Sequence, residues 1–264
     1  MTPVLEVTDL IQDFGGLRAL NELSLTVGRG EIVALIGPNG AGKTTFFNCV
    51  TGIYRPTGGT MRLYDADGTA HLLNGMKTHA ITALGMARTF QNIRLFGEMS
   101  VLENVMIGRH CRTRAGILSA LARDRRGVAE EQETIDISYE LLKAVRLEAF
   151  WDETARNLPY GAQRRLEIAR AMATEPRLLL LDEPAAGMNP QETAELKELV
   201  LELRAKHDLS VLLIEHDMSI VMSLSDRIYV MEYGSPIASG TPQEIRSNPD
   251  VIRAYLGESD HARA

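Results

Sequence analysis

The chain has 264 residues, 45% hydrophobic and 24% charged, enough apolar material for one large domain and too much for a disordered chain. Its formal charge of -7 argues against a general nucleic-acid binder, which carries a basic face. Its longest apolar runs, Leu178 to Leu181 and Val211 to Ile214, fall far short of the roughly 18 residues that span a bilayer.

In chain order, Val4 to Val7 and Leu23 to Val27 alternate like short strands. Glu31 to Ile36 is almost continuously apolar, the pattern of a strand buried on both faces of a parallel sheet. It runs into Gly37, Pro38, Asn39, Gly40, Ala41, Gly42, Lys43, Thr44 and Thr45. The glycines let the backbone curl so that several N–H groups point at one spot, and the dipole of the following helix adds to them. The outcome is an anion nest sized for nucleotide phosphates. Lys43 can reach the β- and γ-phosphates, and the Thr44 hydroxyl can hold Mg²⁺. This predicts ATP or GTP as ligand without saying what the energy is used for.

The phosphate-binding helix is expected from Thr44 to Gly52, and Arg55 to Gly59 reads as a turn. From about Leu95 to Leu158 strand patterns vanish and helix-compatible segments such as Tyr139 to Val145 dominate. Within this stretch Arg109, Arg112, Arg114, Arg123, Arg125 and Arg126 cluster. They suit either a solvated helix–loop face or a contact with acidic lipid headgroups or a partner. Arg177 to Leu181 is a second buried strand. Asn189, Pro190 and Glu192 open a helix whose apolar face is Leu196, Leu199, Val200 and Leu203. Leu209 to Ile214 is a third buried strand, and Asp226 to Ile237 a hairpin. Strands alternating with helices indicate an α/β fold built on a parallel sheet. No signal peptide is visible, and Cys49 and Cys111 are too isolated for a disulfide framework or metal site, so the expected location is cytoplasmic.

Two acids, Asp182 and Glu183, end the second buried strand. A buried acid is costly without a cation or a water network. Beside a phosphate loop, Asp182 suits Mg²⁺ held through its water shell, and Glu183 suits orienting and deprotonating the attacking water. The bland alternative is an acid that caps the next turn. His216 follows the third buried strand in the same way. A lone histidine there is usually a surface group, but the carboxyl ends of parallel strands are where such sheets bind ligands, which makes His216 a γ-phosphate contact.

The order of these elements is what carries a resemblance. The phosphate loop at Gly37, Gln91, the stretch Leu158 to Arg170, Asp182 with Glu183, and Glu215-His216-Asp217 follow one another as in the nucleotide-binding subunits of ABC transporters. Phe14 to Gly16, Arg88 to Phe96, Tyr160 to Arg170, Asp182 to Gly187 and Asn248 to Gly257 resemble in particular the LivG type, ATPase subunits of branched-chain amino-acid importers. The resemblance implies a P-loop NTPase (RecA-like) parallel core with an N-terminal antiparallel β region and a helical sub-domain. Its expected parts are a core over 1–94 and 159–240, a helical sub-domain over 95–158 and a helical tail over 241–264.

It also implies roles. Phe14 would stack on adenine; Gln91 would contact Mg²⁺ or the attacking water; Glu183 would be the general base and His216 the switch histidine. Residues 158 to 163, with Tyr160, Gly161 and Gln163 as nucleotide contacts, would form the signature loop that caps the γ-phosphate held by the other chain of a dimer. The implied partners are a second ATP-binding subunit, identical or related, two membrane permease subunits and, indirectly, a periplasmic or extracellular substrate-binding protein, with no nucleic acid. The implied location is the inner face of the plasma membrane. The chain departs from the family pattern Leu-Ser-Gly-Gly-Gln at Pro159, Tyr160 and Ala162, and has Asn189 where aspartate is common. A weakly hydrolysing regulatory cassette, a related amide or urea importer and a lipopolysaccharide exporter stand as alternatives.

Overall fold

The computed structural model describes residues 2–113 and 125–261. Its centre is a six-stranded sheet ordered β10-β9-β3-β8-β7-β6. These strands are β3 (Ile32–Ile36), β6 (Met86–Arg88), β7 (Leu178–Asp182), β8 (Ser210–Ile214), β9 (Arg227–Glu232) and β10 (Ser235–Gly240). Strands β9, β3, β8, β7 and β6 are parallel neighbours, and β10 folds back antiparallel on β9. A second, antiparallel sheet is ordered β2-β1-β4-β5, from β1 (Pro3–Phe14), β2 (Leu17–Gly28), β4 (Gly58–Tyr64) and β5 (Ala70–Leu72).

Period-two packing explains why the central strands are apolar throughout. In β7, Leu178 and Leu180 face the antiparallel sheet and helix α1 (Lys43–Val50), while Leu179 and Leu181 face a helical layer. In β8, Leu212 and Ile214 take the first side, and Val211 and Leu213 the second. Each fully buried Leu, Ile or Val is worth roughly 1.5–3 kcal/mol relative to exposure, so a polar residue on either face would be costly. The helical layer contains α3 (Val101–Arg109), α4 (Arg125–Ala144), α5 (Tyr160–Met172) and α6 (Pro190–His207); α2 (Thr78–Ala83) precedes β6. The far side of β3 and β9 is covered by α7 (Met218–Leu224), α8 (Pro242–Arg246) and α9 (Pro249–His261).

Several elements differ from the sequence reading for local reasons. Strands β1 and β2 extend well past Val7 and before Leu23. Register shifts at Val7/Leu10 and Leu10/Gln12, with Asp9 at φ 48° and Glu22 at φ 53°, break the alternation that reveals a strand. The expected turn Arg55 to Gly59 stops at Thr57, because Gly58 and Gly59 already belong to β4 and Gly58 pairs with Ile11. Elements α2, β5 and β6 are too short to show a period. Helix α1 closes at Val50, capped by Thr51, before Gly52. The basic cluster is structural in part: the Arg109 guanidinium is buried against Glu175 at 2.7 Å, and Arg112 donates to the carbonyls of Thr174, Ala83 and Glu175. Arg109 is therefore not the solvated or lipid-facing side chain expected, while Arg112 stays half-exposed. Arg114 and Arg123 lie outside the described residues.

The helix opening at Asn189 folds as its sequence directs. Asn189 Oδ1 accepts from the N–H groups of Gln191 (2.9 Å) and Glu192 (3.0 Å), and Glu192 Oε2 accepts from Asn189 N–H at 3.0 Å. This reciprocal box satisfies donors that a helix start leaves unpaired. Asn189→Ala should therefore cost about 1 kcal/mol and lower the melting temperature by roughly 2–4 °C. Thermal unfolding measures this, and an unchanged melting temperature would show that the cap contributes nothing.

Candidate functional site

Parallel register brings the carboxyl ends of four strands to one edge. Ile214 pairs with Leu35 of β3 on one side and Asp182 of β7 on the other. The residues that follow, Gly37, Glu183 and Glu215 with His216, therefore emerge side by side. Thr89 continues from β6 along β7, its N–H donating to Leu180 O at 2.9 Å, and leads to Gln91.

The loop after β3 is curled around Lys43. Gly37 and Gly42 have φ of 154° and 103°, and a Cβ on them would stand 2.0 Å from Met231 O and 2.6 Å from Ala19 O. No other residue fits this cradle. The Lys43 ammonium is buried and donates to Gly37 O at 2.6 Å and Pro38 O at 2.8 Å. Helix α1 starts at Lys43 on Gly42 with no side-chain cap. An open helix start beside a buried lysine is an electropositive seat for an anion.

That seat forms one wall of a cleft of ≈ 430 Å³. Asn39, Gly40, Ala41, Gly42, Lys43, Thr44 and Thr45 line it, Glu183 and His216 close one side, and Phe14, Leu17, Arg18 and Tyr233 border it elsewhere. Phe14 is half-exposed and meets Tyr54 edge-on, with ring centroids 5.2 Å apart. Tyr233 lies in the expected Asp226 to Ile237 hairpin; the β9–β10 turn carries it to the cleft, which no local signal in the sequence indicates.

Glu183 is the hub of the site. Its Oε1 lies 2.6 Å from His216 Nε2, and its Oε2 accepts from Gln91 Nε2 at 2.7 Å. Its backbone is held at φ 48°, with its N–H on Ile214 O, so the turn that aims the carboxylate is strained and fixed by the sheet. Glu215, unassigned in sequence beyond its place in the motif, braces that turn. Its buried carboxylate accepts from Ala185 N–H at 2.8 Å and His216 N–H at 3.1 Å, while burial pushes its pKa up. Asp217 caps α7 through Ser219, which holds its carboxyl below the usual range.

Asp182 is almost fully buried, and the cation that its burial demands is Arg88, the last residue of β6. Arg88 Nη2 reaches Asp182 Oδ2 at 2.7 Å and Nη1 donates to Asn48 Oδ1 of α1 at 2.7 Å. The structure thus ties the β7 carboxylate to the phosphate-loop helix through a side chain that the sequence reading passed over. The need for a cation beside a buried acid was the available signal.

Tyr160, Gly161 and Gln163 stand apart from the cleft lining. They form the first turn of α5, where Tyr160 O–H donates to Ala186 O at 2.9 Å, Gly161 is buried under Glu192, and Gln163 donates to Leu158 O at 2.8 Å. Within one chain the structure brings together the phosphate loop, Phe14, Glu183, His216 and Gln91, links Asp182 to them through Arg88, and leaves the signature turn elsewhere.

Comparison with known proteins bears on the whole chain. A family model described as ABC transporter matches residues 20–186, and one described as branched-chain amino acid ATP-binding cassette transporter matches residues 235–261. Over 257 residues the chain is 52% identical to the high-affinity branched-chain amino acid transport ATP-binding protein LivG of Salmonella typhimurium and 51% identical to BraF of Pseudomonas aeruginosa. Each alignment covers 97% of this chain and 99% of the relative. Among solved structures it resembles the ADP conformation of an ATP-binding cassette of an ABC transporter, with TM-score 0.83, 31% identity and coverage of 97% of this chain and 100% of that one.

The Arg88–Asp182 pair generates a stability test. Removing one member of a buried pair strands the other charge and costs about 3–5 kcal/mol, whereas replacing both with apolar groups is far milder. In urea unfolding, Arg88→Leu should lose about that much and Arg88→Leu/Asp182→Leu markedly less. Equal losses would mean that the two charges are not coupled.

Proposed function

The chain belongs to the ABC transporter family, and from that membership we propose that it is the ATP-hydrolysing subunit of a branched-chain amino-acid importer, driving partner subunits that cross the membrane. It is an ATPase of the cassette type. The observation that carries the hydrolytic reading is Glu183, held between Gln91 and His216 at the mouth of a cleft walled by the phosphate loop. The cargo assignment rests on the match over residues 235–261 and on the names of relatives at 51–52% identity.

Each residue has a physical task. The N–H groups at the start of α1 and the Lys43 ammonium bind the β- and γ-phosphates. Lys43 exchanges its two carbonyl partners for phosphate oxygens. Phe14 offers a ring to the adenine base. Glu183 takes the proton of the attacking water as general base. His216, with its proton on Nε2, and Gln91 each donate to one carboxylate oxygen of Glu183, and lone pairs remain on both oxygens for the water. Oxygen donors suit Mg²⁺, and Thr44, Gln91 and Asp182 supply a hydroxyl, an amide and a carboxylate. Among the described residues no group of three or more His, Cys, Asp or Glu could hold a metal ion by itself. Bound with the nucleotide, Mg²⁺ would supply charge neutralisation on the phosphates.

Because Tyr160, Gly161 and Gln163 lie off the cleft, the γ-phosphate is capped by the same turn of a second ATP-binding subunit. Among the described residues no helix is long and apolar enough to cross a membrane, so passage of the cargo belongs to the permease subunits, which this chain meets at the inner face of the plasma membrane. A substrate-binding protein outside delivers the cargo. A second reading, a cassette that binds ATP and scarcely hydrolyses it unaided, is favoured by Pro159, which replaces the signature serine and leaves α5 without a side-chain N-cap.

Glu183→Gln should slow ATP turnover by about 100-fold or more while leaving ATP affinity within a few-fold. Turnover is read in the assembled transporter and affinity on the full chain. Turnover like the parent's would remove Glu183 as base. Robust turnover by the chain alone would exclude the regulatory reading, and uptake of urea or an amide in place of leucine would change the cargo.

A further inference from the structure

Two charged side chains are sealed inside α5. Arg164 has no exposed surface and Glu167 is 1% exposed, and neither lines the cleft. A fold seeking only stability would gain as much from apolar residues here, since burying charges is costly even when they pair. Four of their six hydrogen bonds go to the backbone of one segment. Arg164 Nη1 donates to Phe90 O and Nη2 to Gln91 O, both at 2.6 Å. Glu167 Oε1 accepts from Phe90 N–H at 3.3 Å and Arg94 N–H at 3.4 Å, and Oε2 accepts from Arg164 at 3.1 Å.

The same guanidinium reaches the signature turn. Arg164 Nη2 donates to the Tyr160 hydroxyl at 3.1 Å, and that hydroxyl donates to Ala186 O, three residues beyond Glu183. Tyr160 stands where the family pattern has glycine, which has no side chain to make this link. One planar fork therefore holds the carbonyls of two successive peptide units, Phe90–Gln91 and Gln91–Asn92, and, through Tyr160, touches the turn that carries the general base. Lysine would replace the fork's two nitrogens, one for each carbonyl in a fixed plane, with a single ammonium on a flexible stem.

We propose that Arg164 is a positioning residue for hydrolysis: by clamping Phe90 O and Gln91 O to α5 it aims the Gln91 amide at Glu183 and makes the signature turn and the Gln91 segment move together. This rests on the roles given above to Gln91 and Glu183. When a second subunit engages the signature turn, the displacement passes through Tyr160 and Arg164 to the amide that orients the base.

A double-mutant cycle in the assembled transporter tests it, reading kcat and KM for ATP, with a fluorescent ATP analogue measuring affinity on the full chain. Gln91→Ala and Arg164→Lys should each lower kcat by about 10- to 100-fold with KM and affinity changed less than about 3-fold. The double variant should be no more than about 2-fold slower than the slower single variant. If Gln91→Ala turns over like the parent, the role of Gln91 fails and this assignment with it. If Gln91→Ala is slow but Arg164→Lys costs its full factor again on that background, Gln91 keeps its role and the assignment is overturned. A loss of affinity equal to the loss of kcat overturns it as well. If Arg164→Lys does not fold, Glu167→Gln keeps the side-chain shape while loosening the guanidinium, and the same non-additivity with Gln91→Ala is required.

Discussion

The site depends on one rung of the sheet. Ile214 is paired with Leu35 on one side and Asp182 on the other, and its carbonyl accepts from Glu183 N–H. That rung sets the level at which the phosphate loop, the acids and the histidine leave their strands. Because side chains alternate with a period of two, a slip of one residue in β7 would turn Asp182 and Glu183 each to the other face and break the Asp182–Arg88 pair. The pairing of β3, β8 and β7 is in this register, and the register places the chemistry.

Charge is placed with the same economy. Asp182, Glu215, Glu167, Arg88 and Arg164 are deeply buried, and each is held by specific partners rather than by solvent. They form a frame around Glu183. Arg88 joins β6 and β7 to α1, Glu215 braces the turn after Glu183, and Arg164 with Glu167 holds the segment of Gln91. Glu183 itself keeps more contact with solvent than these neighbours. A rigid, buried frame around a more accessible carboxylate is what a base needs in order to meet a water from solvent in one orientation.

The two halves of the proposed nucleotide site are separated within the chain. The phosphate loop sits on β3 and the signature turn on α5, and the backbone between them passes through a helical layer. On the function proposed above, a site incomplete in one chain would make catalysis depend on association and let ATP act as a mechanical signal between subunits. The frame of Arg164 and Tyr160 joins that turn to Gln91 and to the turn after Glu183 in its own chain.

The sequence by itself determined the parts whose physics is local. A continuous apolar run means two-faced burial, so β3, β7 and β8 were legible to within a residue or two. The glycine string gave the loop its shape because only glycine fits beside Met231 O and Ala19 O. Asn189, Pro190 and Glu192 announced a helix start that the structure caps as written. Tertiary structure decided what depends on distant partners. Strands β1 and β2 lost their period to bulges, and β6 is too short to have one. Arg88 meets Asp182 across 94 positions, and Arg164 meets Gln91 across 73. Tyr233 reaches the cleft on a hairpin turn, and two arginines of an apparent basic patch turn inward to close a loop. Periodicity and glycine geometry are written in neighbouring residues, whereas the partner of a buried charge is chosen only when the sheet and helices bring remote segments together.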